Sequence, residues 1–340
     1  MKAVVLVGGE GTRLRPITET IPKPLVPLMD RASLDHVLDH LARHGVHEVV
    51  LSSSYLEEPF HAFIQGRHGD PAITWITETE PLGTGGAIVN ALERLGGEET
   101  FLALNGDILT DLDLTAMVAR HRERGADATI ALTHVEDARP FGLVPTGDDG
   151  RVIEFREKPS ELVPGDINAG TYVLEAAALE GWPRGENASI ERDIFPRLIA
   201  DGRPVFGFVS DAYWLDLGTP EQYLRAHVDL IDGRVSGHPV YAGPFVQTDD
   251  VDPRAEVGRH VALGPGVAVA CGADLRDSVL LEAASVGEDA VVHRSILGPR
   301  SSVGAGSRVV DSVLGADATV GAGATLDGAR VGSGDTASSG

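Results

Sequence analysis

The sequence predicts an α/β domain with a mostly parallel, helix-covered sheet, followed by a parallel β-helix. Two observations carry that prediction. Short apolar strands alternate with amphipathic helices over residues 1–232, the βαβα order of a parallel sheet whose ligands bind beyond the carboxyl ends of its strands. From Val257 onward that order gives way to a period of 17 residues.

The first element is the apolar run Ala3 to Val7, read as a buried strand. It leads into "GGEGTRLRPITETIPKPL", Gly8 to Leu25. Glycines let backbone N–H groups approach a phosphate, and clustered amides bind anions. The third glycine of a dinucleotide fingerprint is missing, and so is the Gly-Lys-Ser/Thr ending of a P-loop. Instead Arg13 follows the loop directly. Pro16, Pro22 and Pro24 exclude a regular helix, so Lys23 is expected on a stiff, extended piece of chain. Leu34, Val37, Leu38 and Leu41 then keep helical spacing up to Gly45, a C′ residue.

Strands follow at Glu48–Leu51 and Ile73–Ile76, a helix near Gly86 to Leu95, and a strand at Phe101–Leu104. Asp107, in Asn105-Gly106-Asp107, is expected at the carboxyl end of that strand. Asp216 lies just before Thr219-Pro220-Glu221-Gln222, a capping box with proline at N1 that opens a helix to Ile231.

Four 17-residue copies run on without gaps from Leu263. Inward-type positions fall at Leu263, Val269, Leu275 and Leu280, a spacing of six, six and five repeated through Leu297 and Leu314. Three short strands per turn, with one small apolar residue inside each face, are what a triangular β-helix requires. The expected division is a catalytic domain at 1–232, a linker at 233–256, the β-helix at 257–333 and a frayed tail at 334–340.

Composition narrows the function. A net charge of −23 argues against nucleic acid or an anionic membrane as partner. No apolar run approaches the roughly 20 residues that cross a bilayer, and the opening run is too short for a signal peptide. Cys271 is the only cysteine, which fits a reducing cytoplasm. Of 28 Lys plus Arg, only Lys2, Lys23 and Lys158 are lysines, and two of these fall inside motifs. A compact ammonium and a planar guanidinium are not interchangeable against phosphate.

The opening motif resembles the signature of the sugar-phosphate nucleotidyltransferases. "EPLGTGGAI", "NGD", "EFREKP", "NAGTYV" and "YWLDLGTPEQY" then follow in the family's order. Within the family the chain most resembles mannose-1-phosphate guanylyltransferases, which often carry a C-terminal β-helix. The resemblance implies a Rossmann-like fold of the GT-A type and a left-handed β-helix of hexapeptide-type repeats. It implies that Leu6, Gly8, Gly9, Gly11, Thr12, Arg13 and Lys23 hold the nucleotide, with Glu78, Pro81, Gly83 and Thr84 along the base. Gly142, Glu157, Lys158 and Asn168 would hold the sugar phosphate. Asp107 and Asp216 would bind Mg²⁺, and Arg13, Lys23, Asp107, Lys158 and Asp216 would be catalytic.

Glu78 stands where related uridylyl and thymidylyl enzymes often have Gln. A carboxylate only accepts, and guanine offers adjacent N1–H and N2–H donors, so GTP is favoured over other nucleotides. The expected reaction is sugar 1-phosphate plus NTP giving NDP-sugar and pyrophosphate, by in-line attack on the α-phosphorus. Heptose 1-phosphate and glucose 1-phosphate are alternative substrates. An acyltransferase in the β-helix, with His260 or His293 as base, and a non-catalytic NDP-sugar-binding regulator are remoter readings. The β-helix is expected to mediate homo-oligomer contacts, because its open end exposes backbone and apolar edges.

Overall fold

Runs rich in valine and leucine favour the pleated, doubly covered strands of a parallel sheet. In the computed structural model, which describes residues 1–53, 57–241 and 243–338, four such runs form the parallel strands β1 (Lys2–Leu6), β2 (Glu48–Ser53), β3 (Ala72–Thr77) and β4 (Thr100–Asn105). Their spatial order is β3-β2-β1-β4. The sheet continues with β5 (Ala128–Val135), β6 (Gly142–Leu143), β7 (Arg156–Glu157), β8 (Gly165–Glu175) and β9 (Val205–Val209). β8 runs antiparallel to β4, β5 and β6, while β9 is parallel to β5. Val4, Val50, Phe101, Ala103, Ile130 and Tyr172 from the sheet pack with Ile88 and Val89 of the helix Gly83–Ala91.

The chain divides into two compact units that do not follow its linear order. One comprises Met1–Gly9 with Val37–Trp214; the other joins Glu10–His36 to Leu215–Gly340. The segment after the glycine turn therefore belongs with the C-terminal part. In this second unit the Thr219 side chain accepts the Gln222 N–H and Pro220 opens the helix Pro220–Ile231; the buried Gln222 Oε1 makes no return bond, so only the Thr219 half of the expected capping box forms.

The β-helix builds three parallel sheets, one per face. Leu263, Val269, Leu275, Leu280, Leu297 and Leu314 are all buried at the expected inward positions. Pairing extends beyond residues 257–333: Phe245–Val246 pairs with Ala262–Leu263, and Thr336–Ala337 with Thr319–Val320. An irregular first coil hides this in the sequence. Val246 partners Leu263, seventeen residues on, but Val251 and Val257 partner Val269 and Leu275, eighteen on. The class is a Rossmann-like mixed sheet, parallel through β1 to β4 and antiparallel around β8, followed by a left-handed parallel β-helix.

One corner of three successive coils is closed by serine. Ser278, Ser295 and Ser312 are buried, and each hydroxyl accepts the N–H of the residue seventeen positions later: Ser295, Ser312 and Ala329, at 3.0–3.1 Å. Each also donates to a carbonyl two residues back. Ser295→Ala leaves the buried Ser312 N–H without its acceptor, a cost of about 1–3 kcal/mol; a lowered denaturant midpoint for the β-helix is the expected measurement.

His227, on the helix Pro220–Ile231, is buried with its Nδ1 3.0 Å from the Tyr223 carbonyl, while the Met29 N–H donates to its Nε2 at 3.3 Å. That pairing selects the neutral ring with its proton on Nδ1. Burial, with a smaller contribution from His36, lowers its pKa from 6.5 to about 4. The unfolded chain therefore binds this proton at a higher pH than the folded one, and stability falls as pH drops from about 6.5 to about 4. In an NMR titration the His227 ring should stay neutral until near pH 4, well below exposed histidines.

Candidate active site

Strand order reverses at β1: the chain passes from β1 to β2 and β3 on one side, then returns to place β4 on the other. Loops leaving the carboxyl ends of these strands separate there, which opens a crevice. In the first unit the crevice is a cleft of about 340 Å³. Leu6, Gly8 and Gly9 line it from the end of β1, Ser52 from β2, and Asn105 and Asp107 from β4. Glu78, Pro81, Gly83 and Thr84 complete the wall. The expected first-unit nucleotide residues thus share one cleft with Asp107.

Glu78 is buried, and its carboxylate is already engaged. Ser52 Oγ donates to Oε1 at 2.8 Å and the Leu82 N–H to Oε2 at 3.0 Å. The sequence reading has both oxygens awaiting a base; instead each is shared, leaving one lone-pair direction apiece. The same bonds fix the turn into the helix Gly83–Ala91. Gly85 and Gly86 press against the neighbouring chain there, both N–H groups donating to the Ala188 carbonyl at 2.8 and 3.0 Å. A Cβ on Gly86 would lie 2.3 Å from the Glu186 carbonyl oxygen.

A polar chain that sequence reasoning missed runs from this cleft to Asn168. Thr84 Oγ1 donates to Glu191 Oε2 at 2.7 Å, and Ser189 Oγ donates to the same oxygen at 2.7 Å. Tyr172 donates to Glu191 Oε1 at 3.4 Å and accepts from Asn168 Nδ2 at 2.8 Å. Burial, then the charge of Glu191, raises the Tyr172 pKa and keeps the phenol protonated. Glu191 sits in a π-type turn, Ile190–Ile194, capped by Ser189.

Gly142, Glu157 and Lys158 gather elsewhere in the first unit. Gly142 faces Glu157 across β6 and β7. A Cβ on Gly142 would lie 2.6 Å from the Phe155 ring, so the glycine makes room for that side chain. Lys158 has a left-handed backbone, φ 47°, costly for a residue with a side chain. Its N–H donates to the Phe141 carbonyl at 3.0 Å; its ammonium, largely exposed, lies 3.5 Å from Glu157.

The second unit holds Gly11, Thr12, Arg13, Lys23 and Asp216. Gly11 is left-handed, φ 62°, and its carbonyl accepts from Thr18 Oγ1 at 2.8 Å. Three short 3₁₀ turns follow at Thr12–Leu14, Ile17–Glu19 and Lys23–Leu25. Lys23 therefore opens a turn and is not held on extended chain: Pro22 supplies the extended residue, and Pro24 fits the next turn position. Lys23, only 8% exposed, places Nζ 3.3 Å from Asp216 Oδ1, and Arg13 Nη2 is 3.4 Å from Oδ2. Asp216 thus already faces two cations. Among the described residues no group of three or more His, Cys, Asp or Glu could hold a metal ion, and no helix is long and apolar enough to cross a membrane.

A glycine-lined cleft at the switch point of a mixed sheet, in a chain that continues into a β-helix, defines an α/β protein of the nucleotide-binding class. Residues 2–233 match the nucleotidyl transferase family, and residues 243–336 match the GMPPB C-terminal domain. The chain belongs to the nucleotidyl transferase family and is a nucleotidyltransferase. It is 40% identical to the mannose-1-phosphate guanylyltransferase of Mycobacterium tuberculosis over 84% of this chain and 82% of that protein. It is 30% identical to a UTP–glucose-1-phosphate uridylyltransferase of Synechocystis over 85% of each. The crystal structure of HddC from Yersinia pseudotuberculosis with GMP-PN superposes with a TM-score of 0.59. There the identity is 32%, over 66% of this chain and 97% of that one.

The close approach at Gly86 is testable. Gly86→Ala must push the helix Gly83–Ala91 off the 186–190 segment, and at least a tenfold loss of nucleotide affinity is expected by calorimetry (about 1.4 kcal/mol or more).

Proposed function

We propose that the chain transfers a nucleotidyl group from GTP to mannose 1-phosphate, releasing pyrophosphate and GDP-mannose. The observation that carries this reading is the cleft where Gly8, Gly9, Glu78, Thr84 and Asp107 converge. Its chain is similar over most of its length to a mannose-1-phosphate guanylyltransferase, and its fold to a protein crystallised with GMP-PN. Lone pairs remain on both Glu78 oxygens, and an acceptor there suits the N1–H and N2–H edge of guanine.

The sugar phosphate is already ionised at neutral pH, so attack on the α-phosphorus needs no general base. Catalysis is then positioning and charge neutralisation. Two unit charges 4 Å apart interact by about 1 kcal/mol in water but about 4 kcal/mol at an effective dielectric of about 20. Two phosphates cannot meet against that repulsion in a chain of net charge −23 without local cations. On this reading Arg13 and Lys23 neutralise the triphosphate, and Lys158 the attacking phosphate. Carboxylate oxygens suit a hard cation that completes its shell with water and phosphate, so Asp107 and Asp216 are the residues that would hold Mg²⁺. When bound, the ion withdraws charge from the phosphate oxygens. Asp216, facing Arg13 and Lys23, also keeps both cations oriented before substrate arrives.

The Synechocystis relative favours one alternative, uridylyl transfer to glucose 1-phosphate. A matrix of four NTPs against mannose, heptose and glucose 1-phosphates with Mg²⁺, followed by pyrophosphate release, separates the two. The highest kcat/KM is expected for GTP with mannose 1-phosphate, and a preference for UTP with glucose 1-phosphate overturns the proposal. Asp107→Asn should keep the fold and lose more than about tenfold in turnover (~1.4 kcal/mol); a folded variant near the wild-type rate removes Asp107 from its role.

A further inference from the structure

The β-helix repeat is broken at one position that faces the segment after the glycine turn. On the face that begins each coil, the residues in register are Val279, Ile296, Val313 and Arg330. The first three are buried and apolar; Arg330 is exposed. Its Nη1 donates to the carbonyl of Arg13 at 2.9 Å and to that of Arg15 at 2.6 Å. Three residues on, the Ser333 N–H and Oγ donate to Glu19 Oε2 at 3.2 and 2.8 Å. Both partners lie within the second unit, on the stretch Thr12–Glu19.

Buried Leu14, Pro16, Ile17 and Thr18 anchor that stretch, while Thr12, Arg13 and Arg15 are exposed. The turn at Thr12–Leu14 is held by the Leu14 N–H to the Gly11 carbonyl at 2.9 Å and the Arg15 N–H to the Thr12 carbonyl at 3.3 Å. A single turn of 3₁₀ helix is marginal unless packing or outside partners support it. The Arg13 guanidinium is itself largely exposed and faces Asp216. Arg330 takes the other side of the same residue, its backbone carbonyl, and leaves the side chain unobstructed. Hydrogen bonds from a charged donor are the stronger class.

We propose that Arg330 is a positioning residue for nucleotidyl transfer: by clamping the Arg13 and Arg15 carbonyls, the C-terminal coil holds the Arg13 side chain in its working orientation. This gives the β-helix a direct part in the reaction, through the backbone and without touching substrate. It rests on the reading of Gly8 to Arg13 as the nucleotide phosphate loop, so the test carries a separate control for that reading.

The experiment is steady-state kinetics of the full chain with GTP and mannose 1-phosphate for Arg330→Ala, Arg330→Lys and Arg13→Ala, alongside their unfolding profiles. Arg330→Ala should raise the nucleotide KM and lower kcat, for a combined loss of about tenfold or more in kcat/KM for nucleotide. The sugar-phosphate KM and the unfolding midpoint should be nearly unchanged, a split that a purely structural role would not produce. Arg330→Lys should fall between, because an ammonium can still donate to one carbonyl. Wild-type nucleotide kinetics in Arg330→Ala, with Arg13→Ala crippled, overturn the clamp and leave the loop reading standing. Wild-type kinetics in both variants overturn the loop reading and the clamp with it. Should Arg330→Ala fail to fold, the Lys variant decides: an unchanged nucleotide KM overturns the proposal, and a clear rise with an unchanged midpoint supports it.

Discussion

A lysine that is 8% exposed needs an anion beside it, and Lys23 finds Asp216, 193 residues further along the chain. Removing a charge from water without a partner costs several kcal/mol, so a buried ammonium constrains everything that carries it. Here it ties the segment after the glycine turn to residues 215 onward. The second unit is assembled from two distant pieces, and this ion pair joins the Met29–His227 and Arg330–Arg13 hydrogen bonds in holding them together. Arg13 joins the same carboxylate from the solvent side, so one aspartate organises both cations of the loop.

The first unit solves a different problem, that of bringing several backbone segments into close contact at one edge of a sheet. Glycines at 83, 85 and 86 admit the chain around Ala188, and Gly106 lies against Val7 and Leu6. Glu78 and Glu191 then tie these segments with hydrogen bonds made by both oxygens of each carboxylate. A strongly acidic chain thereby spends two of its buried or half-buried carboxylates on structure. Rigid walls are what an enzyme that works by positioning requires.

Much of this was legible in the sequence because it is local or periodic. The strands, the cap at Thr219, the left-handed Gly45 and the inward positions of the β-helix all follow from patterns within a few residues or from a strict repeat. The first coil escaped because its register slips from seventeen to eighteen. The turn at Lys23 is not legible in the flanking prolines, because proline both stiffens an extended chain and starts a tight turn. The Thr84–Glu191–Tyr172–Asn168 chain has no local signature: its members come from a helix, a π-type turn and one strand, and only the fold brings them together.

The serine ladder has a consequence for how such a chain can change length. Each hydroxyl serves the amide of the coil above it, and each inward side chain rests on its counterpart below. A deletion within one of these strands would break its own rung against both neighbours, while removal of a whole rung would leave the stack intact. Lineages of this protein should therefore gain or lose the domain in quanta of one coil.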